Sequence, residues 1–339
     1  MDLKNPDEYE PPFSLTRSMF RMSAEIAERV GALSAEFEHS PASLRLHRIN
    51  RVRTIRGSLA IEGNTLDEDE IVAIIEGRHV AAPPREIREV RNALAAYDML
   101  DELDPASERD LLRAHGVLMA GLQDDAGHYR QGGVGVISGA SVTHVAPPPK
   151  RVPLLMGNLL GWFARTDVHP LLTSAVFHYE FEFIHPFSDG NGRMGRLWQS
   201  LILTKWNPVF KLLPVENIVF ERQEAYYRAL MDSTAAGDSA PFVEFMLASI
   251  LDMMTLRDTP QDTPYDTPQD TPYDTPQVEQ LLSILDGERS VPELMQRLGL
   301  RDRKSFMRAY IKPALEMNAI ERTLPDKPTS RHQRYRAVK

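Results

Sequence analysis

Between His185 and Arg196 the chain reads H-P-F-S-D-G-N-G-R-M-G-R, so twelve residues bring together a base, a carboxylate, a glycine turn and two arginines. Pro186 disfavours helical angles at His185, which places the imidazole where an apolar helix stops, as a base able to take a proton near pH 7. Gly190-Asn191-Gly192 directly precedes a second apolar helix. Its glycines let consecutive backbone N–H groups converge, and the helix N-terminus adds positive partial charge, which makes an anion nest suited to a diphosphate. Arg193 and Arg196 stand three apart on one helix face and can hold further phosphate oxygens. Asp189, one residue before the nest, can offer an oxygen ligand to Mg²⁺, an ion that takes carboxylate, water and phosphate together. A zinc site built from His178, His185 and Asp189 is disfavoured beside a turn made for anions, and His178 reads as structural.

The elements that must hold this turn are helical. Thr173 to Ile184 has apolar residues at helical spacing and reads as a buried helix, and the helix after Gly192 runs through Leu203. Upstream, helices are expected over Arg17 to Glu38, Leu44 to Ile61, Glu68 to Ile75 and, after the Pro83-Pro84 break, Arg85 to Leu103. Another opens at Ser107 and runs to Met119. The one clear β signal lies between Val134 and Val145, where VGVI and VTHV flank Ser138-Gly139-Ala140-Ser141 and Pro147 to Pro149 end the pair.

The whole chain has 339 residues, 42% hydrophobic and 26% charged, with 39 Lys and Arg against 48 Asp and Glu. That describes a soluble chain of two or three domains with a real core. No cysteine is present, which excludes disulfides and thiolate chemistry and fits a reducing cytoplasm. The longest mainly apolar stretch, Val152 to Ala164, is interrupted by Gly157 and Asn158 and is short of the roughly 18 to 20 residues a bilayer requires. The first residues, MDLKNPDEYEPPFS, have neither the basic start nor the apolar stretch of a secretory signal. No membrane partner is expected.

Residues 258–277 repeat a tetrapeptide five times, DTPQDTPYDTPQDTPYDTPQ. Proline at every fourth position favours an extended, solvated spacer that reaches up to about 60 Å at polyproline rise. Beyond it, Val278 to Lys339 carries 13 Lys and Arg against 8 Asp and Glu, a net of +5 that leaves −14 on residues 1–277. Helices at Val278 to Leu285, at Val291 to Leu298 with Ser290 as N-cap, and at Arg303 to Met317 precede a hairpin-like pair around Pro325 to Ser330. Three helices and a two-stranded wing describe a winged helix-turn-helix whose third helix presents Arg303, Lys304, Arg308 and Lys312, toward DNA or toward a protein.

The twelve residues from His185 to Arg196 match the pattern HPFx(D/E)GNGRxxR, and on them the chain resembles the Fic family. The hairpin, Gly127-His128-Tyr129-Arg130 and the C-terminal winged helix extend the likeness over most of the chain. The resemblance implies a mainly α fold, a Fic helical core with a small β-hairpin flap followed by a winged-helix domain. It divides the chain into an N-terminal helical region (1–103), a catalytic core (104–257), a linker (258–277) and the C-terminal domain (278–339).

The resemblance also implies an enzyme that moves AMP from ATP to a Ser, Thr or Tyr hydroxyl of a protein, itself included. His185 takes the hydroxyl proton, and Asp189 holds Mg²⁺. Gly190, Asn191 and Gly192 bind phosphate oxygens, while Arg193 and Arg196 neutralise the β- and γ-phosphates. Val142, Thr143, His144 and Val145 form the edge that registers a target segment by strand pairing. Tyr226 and Tyr227 fall where the family places a nucleobase contact, and one of the two is expected to be core.

Ser58-Leu59-Ala60-Ile61-Glu62-Gly63 matches the family's inhibitory pattern (S/T)xxxE(G/N), in the position of the class with its inhibitory helix ahead of the core. It implies that Glu62 pairs with Arg196 and occupies the γ-phosphate clamp, with Ser58 one turn earlier orienting it. Three alternatives stay open: a dual enzyme that also removes AMP, a winged-helix DNA-binding regulator with a nucleotide-sensing Fic domain, and a transferase of UMP, phosphate or phosphocholine. A homodimer is compatible with all of them.

Overall fold

The computed structural model describes residues 9–37, 42–138, 141–258, 278, 281–282, 284–285, 287–298, 300, 306–311, 314–315, 319–323 and 333–338. Residues 259–277 of the repeat, Arg303, Lys304, Lys312 and the Pro325 to Ser330 turn lie outside that set, as does the side chain of Arg308. The chain forms two compact units, Met1–Thr259 and Pro260–Lys339.

The first unit is built around two helices, α7 (Pro170–Ile184) and α8 (Asn191–Trp206), which pack on each other and are joined by the His185 to Gly190 turn. Helix α7 starts at Pro170, three residues earlier than its apolar pattern suggests. Proline is tolerated at the first helical position, and His169 caps the helix by accepting from the Leu171 N–H at 3.2 Å. Phe177, Phe181, Val176 and Ile184 are buried around its whole circumference, so neighbours cover every face.

Those neighbours come from both sides in sequence. Helices α1 (Arg17–Phe37), α2 (Ala42–Ala60), α3 (Glu68–Ile75), α4 (Pro84–Asp98) and α5 (Glu108–Leu118) precede the hairpin, and α6 (Val152–Arg165) follows it. Helices α9 (Val215–Glu221), α10 (Gln223–Ala236) and α11 (Ala240–Asp258) complete the unit. Helix α3 is set by a capping box between Asp67 and Glu70, and Ser107 caps α5. Helix α4 ends at Asp98 rather than Leu103, because Met99 and Leu100 close tighter turns onto Ala96 and Tyr97 and so fold Leu103 into the core. Glycine permits one close crossing: a Cβ at Gly57 of α2 would stand 2.7 Å from the backbone of Asn217 in α9.

Strands β1 (Gly135–Ser138) and β2 (Ser141–Val145) pair antiparallel. The register pairs Val136 with His144 and Ile137 with Val142, so Thr143 is an extra residue that bulges the second strand.

The second unit has its own core, with Leu281, Leu294, Phe306, Ile311 and Tyr335 among its buried residues. The helix Val291–Arg297 is opened by Ser290 in a capping box with Glu293. Of the expected third helix, Met307–Ile311 is a π turn. Strands β3 (Arg289–Ser290), β4 (Ile320–Arg322) and β5 (Arg334–Ala337) form a three-stranded antiparallel sheet in the order β3-β5-β4, one strand more than the expected pair. Among the described residues no helix is long and apolar enough to cross a membrane.

Candidate active site

His185 ends α7 in the left-handed region, φ 51° and ψ 63°, and among the described residues it alone does so without being glycine. The following proline excludes the right-handed helical option, and such a backbone persists only where surrounding contacts over-determine it. Here they do. Arg130, 1% exposed, sends its guanidinium to four carbonyls: Nε to His185 at 2.7 Å, Nη1 to Gly132 at 2.9 Å, and Nη2 to Pro147 at 2.5 Å and Ile184 at 3.4 Å. Its own N–H donates to the Pro186 carbonyl at 3.0 Å. One buried arginine thus ties the end of α7 to both feet of the hairpin.

Beyond Pro186 the turn is held from inside. Phe187 is fully buried and stacks on His115 of α5, with ring centroids 3.6 Å apart and planes within 4°. His115 Nδ1 accepts from the Gly127 N–H at 2.9 Å, so Nε2 carries the proton and donates to the Asp189 carbonyl at 3.0 Å. Burial lowers the pKa of this imidazole to about 4, which keeps it neutral. Asn191 clamps the same turn: its amide oxygen accepts from the Phe187 N–H at 2.8 Å and its amide nitrogen donates to the Phe187 carbonyl at 2.9 Å. The Asn191 side chain is therefore structural, and what it leaves for an anion is backbone. Gly190, at φ 83°, begins α8 where a side chain would strike Met119.

Asp189 Oδ1 accepts from the Gly190 N–H at 2.6 Å and from Arg193 at 3.0 Å, while Oδ2 is 3.6 Å from Arg85 and 3.4 Å from Gln123. Burial works against the charge, yet Arg193, the Gly190 N–H, Gln123 and Arg85 together hold this carboxyl below the usual carboxylate range. An ionised, partly exposed carboxylate beside a phosphate-sized nest fits Mg²⁺, which needs one or two protein carboxylates when phosphates supply the rest. Among the described residues no three acidic or histidine side chains converge as a metal site, so Asp189 would act as a single protein ligand.

Arg196 is 2% exposed and spans α8 to α2. Its Nη2 donates to Glu62 Oε1 at 2.7 Å and to the Ser58 backbone carbonyl at 2.9 Å, and Nε reaches Ser58 Oγ at 3.4 Å. Burial pulls this guanidinium down, and Glu62, with Tyr226 and Glu182, together more than offset that, raising its pKa above the ordinary arginine value. The Glu62 carboxylate also lies where a Cβ at Gly192 would go. Gln223 donates to the Ile61 carbonyl at 3.0 Å and Asn64 donates to Glu89 at 2.9 Å, so the turn carrying Glu62 is held on both sides.

Three further residues fall as follows. His178 is fully buried, with Nδ1 2.6 Å from Gln199 and Nε2 3.1 Å from the Tyr226 hydroxyl, and burial lowers its pKa to about 3. Tyr226 is 1% exposed and faces that core cluster, so neither of its faces is open to a base. Tyr227 is half-buried and packs edge-on to Tyr226. Val142, Thr143, His144 and Val145 lie along β2 of the hairpin that Arg130 anchors. His115 escapes a reading of the sequence because it sits 74 residues from the carbonyl it orients. The four acceptors of Arg130 escape it too, although its Gly-His-Tyr-Arg context is visible.

The Fic/DOC family model matches residues 103–203, and that of the "Filamentation induced by cAMP protein Fic-like, C-terminal domain" matches residues 276–337. "Protein adenylyltransferase Fic" of Nematostella vectensis is 29% identical over 201 residues, 56% of this chain and 44% of that protein. "Protein adenylyltransferase fic-1" of Caenorhabditis elegans is 29% identical over 246 residues, 69% of this chain and 45% of that protein. The chain thus spans about half the length of the curated relatives it matches. A solved Fic family protein from Desulfovibrio desulfuricans G20 is 48% identical and superimposes with a TM-score of 0.71 over 97% of this chain and 98% of that one. With that agreement end to end, and with the H-P-F-S-D-G-N-G-R-M-G-R turn built as described, the chain belongs to the Fic family.

Proposed function

We propose that this protein is a protein adenylyltransferase, which transfers AMP from ATP to a Ser, Thr or Tyr hydroxyl of a protein target or of itself. The observation that carries the reading is Arg196, a buried cation already gripping a carboxylate beside the Gly190-Asn191-Gly192 turn, with His185 at the turn's other end. A site in which a buried guanidinium already binds a carboxylate beside the N-terminus of α8 is ready to bind a phosphate chain. The hydroxyl oxygen bonds to the α-phosphorus while the bond to the β-phosphate bridging oxygen breaks, and pyrophosphate leaves with the electron pair. The hydroxyl proton passes to His185. The backbone of residues 190–192 holds phosphate oxygens and Arg193 with Arg196 balances their charge, because phosphoryl-type transfer depends on positioning and charge stabilisation. Mg²⁺, when bound at Asp189, neutralises phosphate charge.

Glu62 acts in this reading as a brake. Its carboxylate and a γ-phosphate compete for one guanidinium, so ATP is excluded or bound out of line while the pair persists. The hairpin registers the target: a two-stranded ladder offers main-chain groups for an added strand, and Arg130 ties its feet to the His185 carbonyl. For the C-terminal unit we propose a winged-helix docking role toward protein or nucleic acid, and for the whole chain a cytoplasmic setting.

The test is mass spectrometry of purified wild type, Glu62→Gly, His185→Ala and the double variant after incubation with ATP and Mg²⁺. Glu62→Gly gains AMP at least tenfold faster than wild type, and His185→Ala gains none in either background. Equal labelling of all four removes the enzyme reading, and equal labelling of wild type and Glu62→Gly removes the brake.

A further inference from the structure

Glu182 sits in the last turn of α7, three residues before His185. Its Oε2 is 3.9 Å from His185 Nδ1 and its Oε1 is 3.9 Å from His178 Nε2. The side chain is 12% exposed, and Oε1 is shut off from solvent with no hydrogen-bond partner of its own. A Cβ at Gly195 would stand 2.7 Å from Oε1, so α8 is notched by glycine where this carboxyl lies. A buried polar atom left without a partner destabilises the fold, which makes its place in the middle of a site a matter of function rather than stability.

The titratable and charged groups that face Glu182 are few. His178 and His185 come from its own helix and its C-terminal cap, Arg196 from α8, Glu62 from the turn after α2, and the phenols of Tyr226 and Tyr227 from α10. His178 is buried and neutral, with both ring nitrogens engaged by Gln199 and Tyr226. Arg196 is bonded to Glu62. His185 is the neighbour whose chemistry requires a carboxylate. Its Nδ1 is the nitrogen toward Glu182, which turns Nε2 the other way, and Nε2 can accept a proton only if the ring's own hydrogen resides on Nδ1.

We propose, on the basis of the AMP-transfer reading above, that Glu182 is the positioning residue of His185. Its carboxylate accepts the Nδ1–H, holds the imidazole in the tautomer with Nε2 unprotonated, and balances the imidazolium formed when the target hydroxyl gives up its proton. The 3.9 Å separation closes by a small rotation of the glutamate side chain, since hydrogen bonds of this kind tighten in the working complex. With Glu62 seated, burial pushes the Glu182 carboxyl up to about 8, with Arg196 opposing and Glu62 adding to the rise. The resting carboxyl therefore keeps its proton at neutral pH. Burial, the largest cause, persists when Glu62 is removed, so the carboxyl loses its proton only as pH rises toward 8.

The experiment uses the full chain carrying Glu62→Gly. Nitrogen-15 spectra of labelled histidine, with His185 assigned by its loss in His185→Ala, report the tautomer directly. Above pH 8, where the Glu182 carboxyl is ionised, the Nδ1–H form is expected, and the Nε2–H form there overturns the proposal without any change at Glu182. In the same background Glu182→Gln lowers kcat for self-modification at least tenfold and leaves KM for ATP within twofold. It also abolishes the rise of kcat through about pH 8 that ionisation of the Glu182 carboxyl imposes. Unchanged kcat, or a kcat profile that keeps its rise near pH 8 without Glu182, overturns the proposal. If Glu62→Gly itself transfers no AMP, the adenylyltransferase reading falls, while the tautomer measurement still decides the role of Glu182.

Discussion

Glu62 and Arg196, 134 positions apart in the chain, are joined by a 2.7 Å charge-assisted bond inside a site where the guanidinium is almost wholly buried. The same Nη2 reaches the backbone carbonyl of Ser58, whereas the Ser58 hydroxyl is a marginal 3.4 Å from Nε. The pair is thus held by one side chain and one carbonyl of α2. The two residues of the inhibitory pattern are accordingly unequal.

Ser58→Ala preserves the carbonyl contact and is expected to keep self-modification within threefold of wild type. Glu62→Gln keeps the shape but loses the charge, and raises it at least fivefold. Label incorporation from ATP over a time course separates the two, and a Ser58→Ala rate equal to that of Glu62→Gln sinks the carbonyl account.

Arg130→Lys replaces a planar fork reaching four carbonyls with one ammonium, leaving buried acceptors unpaired at roughly 1–3 kcal/mol each. A stability loss of about 3 kcal/mol by urea denaturation is expected. Transfer to a protein target falls more than tenfold, since the His185 carbonyl and the feet of the hairpin lose their common anchor. Wild-type stability in this variant would show that the anchor is dispensable.

The two adjacent tyrosines should behave differently. Tyr226→Phe strands His178 Nε2 and lowers stability by about 1–2 kcal/mol, with KM for ATP within twofold. Tyr227→Ala raises KM for ATP severalfold if the half-buried ring carries the nucleobase contact. Thermal melts alongside ATP titrations check both, and a KM change confined to Tyr226→Phe reverses the assignment.

Glu180 accepts from the Tyr9 hydroxyl at 3.0 Å and, through burial, has its pKa raised from 4.5 to about 7 despite that bond. The folded state binds this proton more tightly than the unfolded chain. The contribution is therefore full below about pH 4.5 and is lost as pH rises toward 7. At about 1.4 kcal/mol per pKa unit, wild type should lose roughly 2–3 kcal/mol relative to Glu180→Gln between pH 5 and 8. His115 and His178 act in the opposite sense, their share being lost as pH falls below 6.5, and they cancel in that comparison. Parallel stability curves for the two proteins would contradict the burial account.

The His185 to Arg196 turn is legible in the chain because its determinants are local. Pro186 denies helical angles to the residue before it and glycine at 190 relieves its own backbone, so the helix stop at His185 and the turn at Gly190 follow from residue type, whereas φ 51° at His185 is held by tertiary contacts such as Arg130. Helix positions followed from apolar spacing for the same reason, with ends displaced where caps or tight turns intervened, as at Pro170 and Asp98. Tertiary structure alone decided which side chains meet. His115 stacks on Phe187, Arg130 gathers carbonyls from both sides of the hairpin, Tyr226 turns into the core, and Glu182 comes to rest between two imidazoles beside Arg196. Backbone preference is settled by neighbours one or two residues away. Burial, charge pairing and proton affinity depend on helices that meet only after folding, and no local pattern records which of them will.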